Sequence, residues 1–139
     1  MRGQGRRFQH AALARAGNVS QRIHVPGSRA DVAELLTAAD LHLMPSDGEA
    51  HSIAALEALA AGPYCIFSGI YAFKPLRPYP GVTLIGDPPA ADGLAEALHN
   101  VLASGQWQQR YPRDLSNLSF ELCAAQYMGL ARQLLRPAP

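Results

Sequence analysis

Apolar positions along the chain alternate between two spacings. Short solid runs are separated by longer stretches in which apolar residues recur every three or four positions. Leu41 to Met44, Tyr64 to Phe67 and Val82 to Ile85 are such runs, broken only by His42 and Thr83, with the length and residue types of strands. Arg22 to Val25 is short, β-prone and bounded by Pro26-Gly27, and reads as a further strand with a loop after it. Helical spacing predicts elements over Phe8 to Ala16 and over Asp31 to Ala39, where Val32, Leu35 and Leu36 share a face. An alanine-rich helix follows from Ala50, closed by Gly62 as a C-terminal cap. Ala91 to Ala103 spaces Leu94, Ala97, Leu98 and Val101 for one buried face, and Ser119 to Leu135 does the same with Phe120, Cys123, Tyr127, Leu130 and Leu134. Ile70 to Gly81 reads as irregular because Pro75, Pro78 and Pro80 interrupt regular hydrogen bonding; Trp107 to Arg113 reads as a loop. Strands alternating with helices predict an α/β fold, a parallel sheet with helices on both faces.

Composition narrows the class. With 139 residues the chain suits one domain with a real core, and 48% hydrophobic against 17% charged residues excludes a disordered chain. A formal net charge of +1 argues against a nucleic-acid partner. No apolar run approaches the length of a membrane span, and no signal sequence is legible, so a cytoplasmic location is expected. Cys65 and Cys123 form no paired motif, and His10, His24, His42, His51 and His99 have no metal-ligand spacing, so neither a disulfide framework nor a metal is expected. His24 and His42 fall in expected strands and read as core or edge histidines with satisfied hydrogen bonds. Gly3-x-Gly5, with Arg2, Arg6 and Arg7 nearby, is too short a signal to define a phosphate site by itself.

The chemistry concentrates after the strand that ends at Met44. Pro45-Ser46-Asp47-Gly48 is a turn, and Glu49 opens a segment that runs through Ala50, His51, Ser52 and Ile53 to Glu57 and Gly62. A strand, a turn and a helix N-terminus form the junction where open α/β sheets bind ligands, because free N–H groups point outward there. If the helix begins at Ala50, Glu49 and Glu57 are ~12 Å apart along its axis and ~80° apart around it. That exceeds the roughly 5–9.5 Å of a glycosidase acid/base pair and suits two contacts on one elongated ligand. Glu57 borders an apolar stripe of Ile53, Leu56, Leu59 and Ala60, where a ligand hydroxyl pair would satisfy its carboxylate. A plain surface helix carrying two glutamates is the competing reading.

Pro45-Ser46-x-x-Glu49, then Leu56-Glu57-Ala58-Leu59-Ala60-Ala61-Gly62, resembles the signature of the group 1 (family four) glycosyltransferases of GT-B architecture. Asp31 to Leu41 and Asp87-Pro88 ahead of Leu94-Ala95-Glu96-Ala97-Leu98 are similar to the same family. The resemblance covers Gly3 to about Leu135 and implies the C-terminal, donor-binding half of such an enzyme, truncated at its N-terminus. It implies a nucleotide-diphospho-sugar donor, retaining transfer to a saccharide or lipid acceptor through an absent N-terminal domain, no metal or other cofactor, and a place in the cytoplasm or at the inner membrane face. In the family, the first glutamate of Glu-x7-Glu contacts the donor sugar and the second holds the ribose, which assigns those roles to Glu49 and Glu57. N–H groups from Ala50, His51, Ser52 and Ile53 would meet sugar or diphosphate. Gly27 and Ser28 correspond to a loop near the nucleotide base. The chain departs from the family where Ala50-His51-Ser52 replaces Gly-Phe-Gly and Tyr64-Cys65 replaces Pro-Val, and no Gly-Gly-x-x-Glu is found after Gly69. The alternative is a non-catalytic interaction module or truncated remnant, pairing with a complementary subunit or as a homodimer through an open sheet edge.

Overall fold

The computed structural model describes residues 20–135. The chain divides into two compact units, Met1–Val32 and Ala33–Pro139. Gly3, Gly5, the nearby arginines, His10 and the helix expected over Phe8 to Ala16 lie outside the described residues.

In the first unit, a 3-10 turn, Ser20–Arg22, is the regular element described. The strand expected over Arg22 to Val25 does not form. Arg22 closes the 3-10 turn, and the described residues of this unit hold no other strand to form a ladder with residues 23–25, so β-prone side chains alone do not make a strand here. His24 is consequently not a strand residue. Gly27 turns the chain with φ 82. Arg29 donates from Nε to Asp31 Oδ1 at 2.7 Å in an exposed local ion pair.

The second unit holds a parallel sheet of three strands in the order β1 (Leu41–Met44), β2 (Tyr64–Phe67), β3 (Val82–Leu84). Leu41 aligns with Tyr64, and Cys65 with Val82. The central strand β2 is buried along its whole length. Strand alternation then divides the core. Cys65 and Phe67 face α2 (Ile53–Ala61), whose Ala55, Ala58 and Leu59 are fully buried, with Leu36 of α1 (Val32–Ala38) against the same cluster. Tyr64 and Ile66 face α3 (Ala91–Ser104), which contributes Val101, Leu94, Ala97 and Leu98. Helices thus cover both faces, as the alternating pattern predicts.

The segment between β2 and β3 is more regular than its prolines suggest. Tyr71–Leu76 forms a 3-10 helix that buries Phe73 and Leu76, with the Phe73 ring stacked on Phe67 at 5.0 Å. Its bonds run from residue i to i+3, and the ring of Pro75 is accommodated within this short piece. A second 3-10 turn, Gln106–Gln108, occupies part of the loop expected over Trp107 to Arg113.

That loop then locks the N-terminal ends of the strands. Arg113 donates to Pro80 O at 2.8 Å, Leu59 O at 2.9 Å, Pro63 O at 2.9 Å and Gly81 O at 3.3 Å. Arg110 donates to Ala39 O at 2.8 Å and also to Thr37 O. These carbonyls are the C-terminal ends of α1 and α2 and the entrances to β2 and β3, where negative partial charge collects. Tyr111 packs its ring over Gly81, where a Cβ would sit 2.5 Å from the ring; φ is also positive there, +67, so glycine alone fits.

The last helix, α4 (Phe120–Leu134), forms as the periodicity predicts, capped by Ser119 Oγ accepting from the Leu122 N–H at 3.2 Å. Its apolar side, however, is not buried: Phe120, Tyr127 and Leu134 are 88%, 71% and 76% exposed. Periodicity marks a stripe and does not supply what covers it. Among the described residues, no helix is long and apolar enough to cross a membrane.

Candidate functional site

The C-terminal end of β1 leads into Glu49 and the candidate residues up to Glu57. Strand β1 leaves the sheet at Met44, and Pro45 to His51 form a loop before α2. The helix begins later than the sequence suggests. Ser52 is its N-cap, with Oγ accepting from the Ala55 N–H at 3.3 Å, and Ile53 is its first residue. Ala50 and His51 therefore lie in the loop, and His51 is not in the first helical turn. The Ser52 hydroxyl takes up an N–H of the first turn that would otherwise lack an acceptor, which fixes the start at Ile53. The axial spacing derived for a helix starting at Ala50 does not apply, because Glu49 is not helical.

The loop is braced from inside. Ser68, fully buried just after β2, donates from Oγ to Ser46 O at 2.6 Å, and its N–H donates to Met44 O at 3.3 Å. Gly69 follows, its N–H bonded to Gly86 O at 3.2 Å. A Cβ on Gly69 would stand 2.5 Å from Ile85 O, so the exits of β2 and β3 approach as closely as only glycine permits. On this base Ser46 Oγ donates to Glu49 Oε1 at 3.3 Å, and the Glu49 carboxylate stays exposed. Ser52 also reaches back, Oγ to Met44 Sδ at 3.5 Å. A hollow of about 220 Å3 between Pro45, Asp47, Pro89, Ala90, Ala91 and Leu94 joins the β1 exit to the start of α3.

Glu57 takes a different place from the one its neighbours suggest. The buried face of α2 is Ala55, Ala58 and Leu59, while Ile53 is 63% exposed and Ala60 is exposed. The stripe of Ile53, Leu56, Leu59 and Ala60 is thus only partly apolar core, and Glu57 is exposed beside it. Its carboxylate opens on a hollow of about 260 Å3 between α1 and α2, lined also by Ala33, Leu36, Thr37, Ala60 and Ala61. Small residues on both helices leave that space. Ile53 and Ala54 present the first N–H groups of α2, which have no intrahelical acceptor. Gly27 and Ser28 belong to the first unit. Among the described residues, no three His, Cys, Asp or Glu side chains gather as metal ligands do.

The part sequence reasoning passed over is Ser68. Ser68-Gly69 reads as the end of a strand; the signal in it is a hydroxyl placed where a solid apolar run stops, since a buried hydroxyl must find an acceptor. A cavity of about 540 Å3 lies between β3 and α3, and none of the candidate residues lines it.

A family model described as "Glycosyl transferases group 1" matches residues 1–104. No curated protein matches the chain. Among solved structures, the chain is similar to a sucrose-phosphate synthase from Thermosynechococcus elongatus, with 25% identity and a TM-score of 0.72. The alignment covers 94% of this chain and 34% of that one, so the chain spans about a third of the length of its structural relative.

Proposed function

The chain belongs to the group 1 glycosyltransferases, and from that membership we propose that it forms the donor-binding part of an enzyme that transfers a sugar from a nucleotide-diphospho-sugar with retention of configuration. The observation that carries this reading is the braced β1–α2 junction: an exposed Glu49 held by Ser46, on a loop fixed by buried Ser68, ahead of the free N–H groups of α2. In this reading Glu49 accepts hydroxyl protons of the donor sugar and orients it. Glu57, beside the hollow between α1 and α2, accepts from both ribose hydroxyls. The diphosphate meets the N–H groups at Ile53 and Ala54 and those of the preceding loop, where the helix dipole favours negative charge. That arrangement supplies electrostatic stabilisation to the departing nucleotide without calling on a metal. A saccharide or lipid acceptor would be presented by a further domain of the kind that completes a GT-B enzyme. The name of the solved relative, a sucrose-phosphate synthase, supports sugar transfer as the reaction class.

Calorimetric titration of the purified chain with UDP, GDP and UDP-glucose tests the proposal. One nucleotide should bind saturably, and Glu57→Gln should weaken it about tenfold, the loss of roughly 1.4 kcal/mol of charge-assisted hydrogen bonding. A folded chain that binds none of the three ligands at millimolar concentration sinks the reading.

A further inference from the structure

The segment between β2 and β3 presents a ridge that the donor site does not account for. In a 3-10 helix, residues three apart stand directly above one another. Phe73 and Leu76 form the buried ridge of the helix Tyr71–Leu76, while Tyr71, Lys74 and Arg77 form an exposed one. Arg77 keeps the register, because its N–H donates to Lys74 O at 3.2 Å. At about 2.0 Å of rise per residue, the three side chains stand about 6 Å apart in a row of about 12 Å. Tyr71 is 86% exposed.

Surface cations are ordinarily just solvated, but this ridge differs in three respects. It stands on a fixed base: Phe73 and Leu76 are held in the core, and Pro75 and Pro78 restrict the backbone between the exposed residues. Little ordering is then left for a ligand to impose. Its charge is uncompensated. No Asp or Glu occurs between Glu57 and Asp87, and among the described residues neither Lys74 nor Arg77 forms an ion pair. Finally, the aromatic ring stands at the end of the row next to the β2 exit, three residues after Ser68, which braces the Ser46 loop.

We infer that the row of Tyr71, Lys74 and Arg77 binds an acidic saccharide, the acceptor chain of the sugar transfer proposed above, on which this inference rests. A sugar ring lays its C–H face on an aromatic ring and keeps its hydroxyls in water, which suits the apolar body and polar tip of tyrosine. Carboxylates or phosphates along the chain pair with Lys74 and Arg77. A neutral saccharide would leave both cations without partners, and a small inorganic anion would leave the ring uncovered. An anionic lipid surface would meet the cations, but one tyrosine supplies little apolar area to insert into it.

Calorimetric titration of the full chain with tetragalacturonate, a carboxylated saccharide, tests this, with its neutral methyl ester as the control. Tetragalacturonate should bind saturably and more weakly as salt is raised, and the methyl ester should bind less well. Lys74→Gln combined with Arg77→Gln should weaken tetragalacturonate about tenfold, and Tyr71→Ala should weaken it severalfold. The substituted side chains are exposed, and the single tryptophan, Trp107, packed against Tyr64, Ile66 and Val101, reports by its fluorescence that each variant remains folded. UDP and GDP titrated on the same variants should bind as they do to the parent. Nucleotide binding absent from parent and variants alike, with the ridge effects present, supports the ridge as a saccharide site and counts against the donor reading alone. No binding of tetragalacturonate, equal binding of its methyl ester, or binding that the variants leave unchanged overturns the inference. Attachment of the chain to phosphatidylglycerol vesicles without binding of tetragalacturonate overturns it in favour of a membrane surface.

Discussion

His42 shows what a single residue contributes when its surroundings and its chemistry disagree. It lies on edge strand β1, its ring edge-on to Phe67 at 5.9 Å, with Nε2 buried and without a hydrogen-bond partner. Burial lowers its pKa from the ordinary 6.5. The folded chain therefore resists a proton that the unfolded chain accepts, so stability is full above the unfolded pKa and falls as pH drops below it. Urea midpoints between about pH 7 and about pH 5 should decline, and His42→Leu should flatten that limb. The acid limb below the ordinary 3.8 of aspartate should persist in the variant, because Asp114, held down mainly by the Ser116 N–H, titrates there in both chains. A profile that His42→Leu leaves unchanged would refute the assignment. The sequence places His42 in a strand and suggests a histidine with satisfied hydrogen bonds; the structure corrects the second point, since Nε2 is orphaned by its placement against Phe67, which no local pattern encodes.

At the scale of elements, two helices carry the same cap with different consequences. Ser52 caps α2 and Ser119 caps α4, each hydroxyl accepting the N–H three residues on. Helix α2 contributes Ala55, Ala58 and Leu59 to the core, so losing its cap weakens the whole unit; α4 buries nothing. Ser52→Ala should cost about 1 kcal/mol of global stability, whereas Ser119→Ala should fray α4 and leave the cooperative midpoint in place. Denaturation followed by Trp107 fluorescence, with far-ultraviolet circular dichroism alongside, separates the two. Equal midpoint shifts would mean that α4 is part of the cooperative core. The elements themselves were legible wherever local and global signals agreed. The solid runs at Leu41, Tyr64 and Val82 are strands, and Gly62, with φ 91, closes α2. Reading failed where partners decide. Arg22 to Val25 has strand-like residues, but the described residues of its own unit hold no strand to pair with it. The start of α2 at Ile53 depends on Ser52 turning its hydroxyl towards Ala55. The candidate site was legible as a motif, Glu49 and Glu57 around a small-residue helix; its support by Ser68 was not, since that bond joins residues 22 positions apart.

Across the whole second unit, the candidate binding residues and the ties that stabilise the sheet lie at its opposite ends. The C-terminal end of β1 leads into the Ser46 loop, Glu49 and the cap of α2. The N-terminal ends are tied by Arg110 and Arg113 to carbonyls of α1, α2 and the entrances of β2 and β3. Burial lowers the Arg113 pKa, yet a guanidinium remains charged at neutral pH, and its planar fork reaches carbonyls on three segments at once. It also lies 5.6 Å from the centre of the Tyr111 ring. Lysine cannot reproduce that geometry. Arg113→Lys should lower stability by about 2–3 kcal/mol, since charge-assisted bonds are lost and buried carbonyls are left without donors. Held well below its lowered melting temperature, the same variant should bind donor nucleotide as the parent does. Glu57→Gln should behave in the reverse way, melting as the parent melts while binding weakly, because its exposed carboxylate makes no described contact that holds the fold. Calorimetry and thermal denaturation on both variants form a two-by-two comparison. Donor affinity falling in parallel with stability in both would mean that the sheet transmits strain from end to end. Independent effects would instead support a rigid three-stranded base, buried through β2 and locked from below, on which the loops above it set substrate choice.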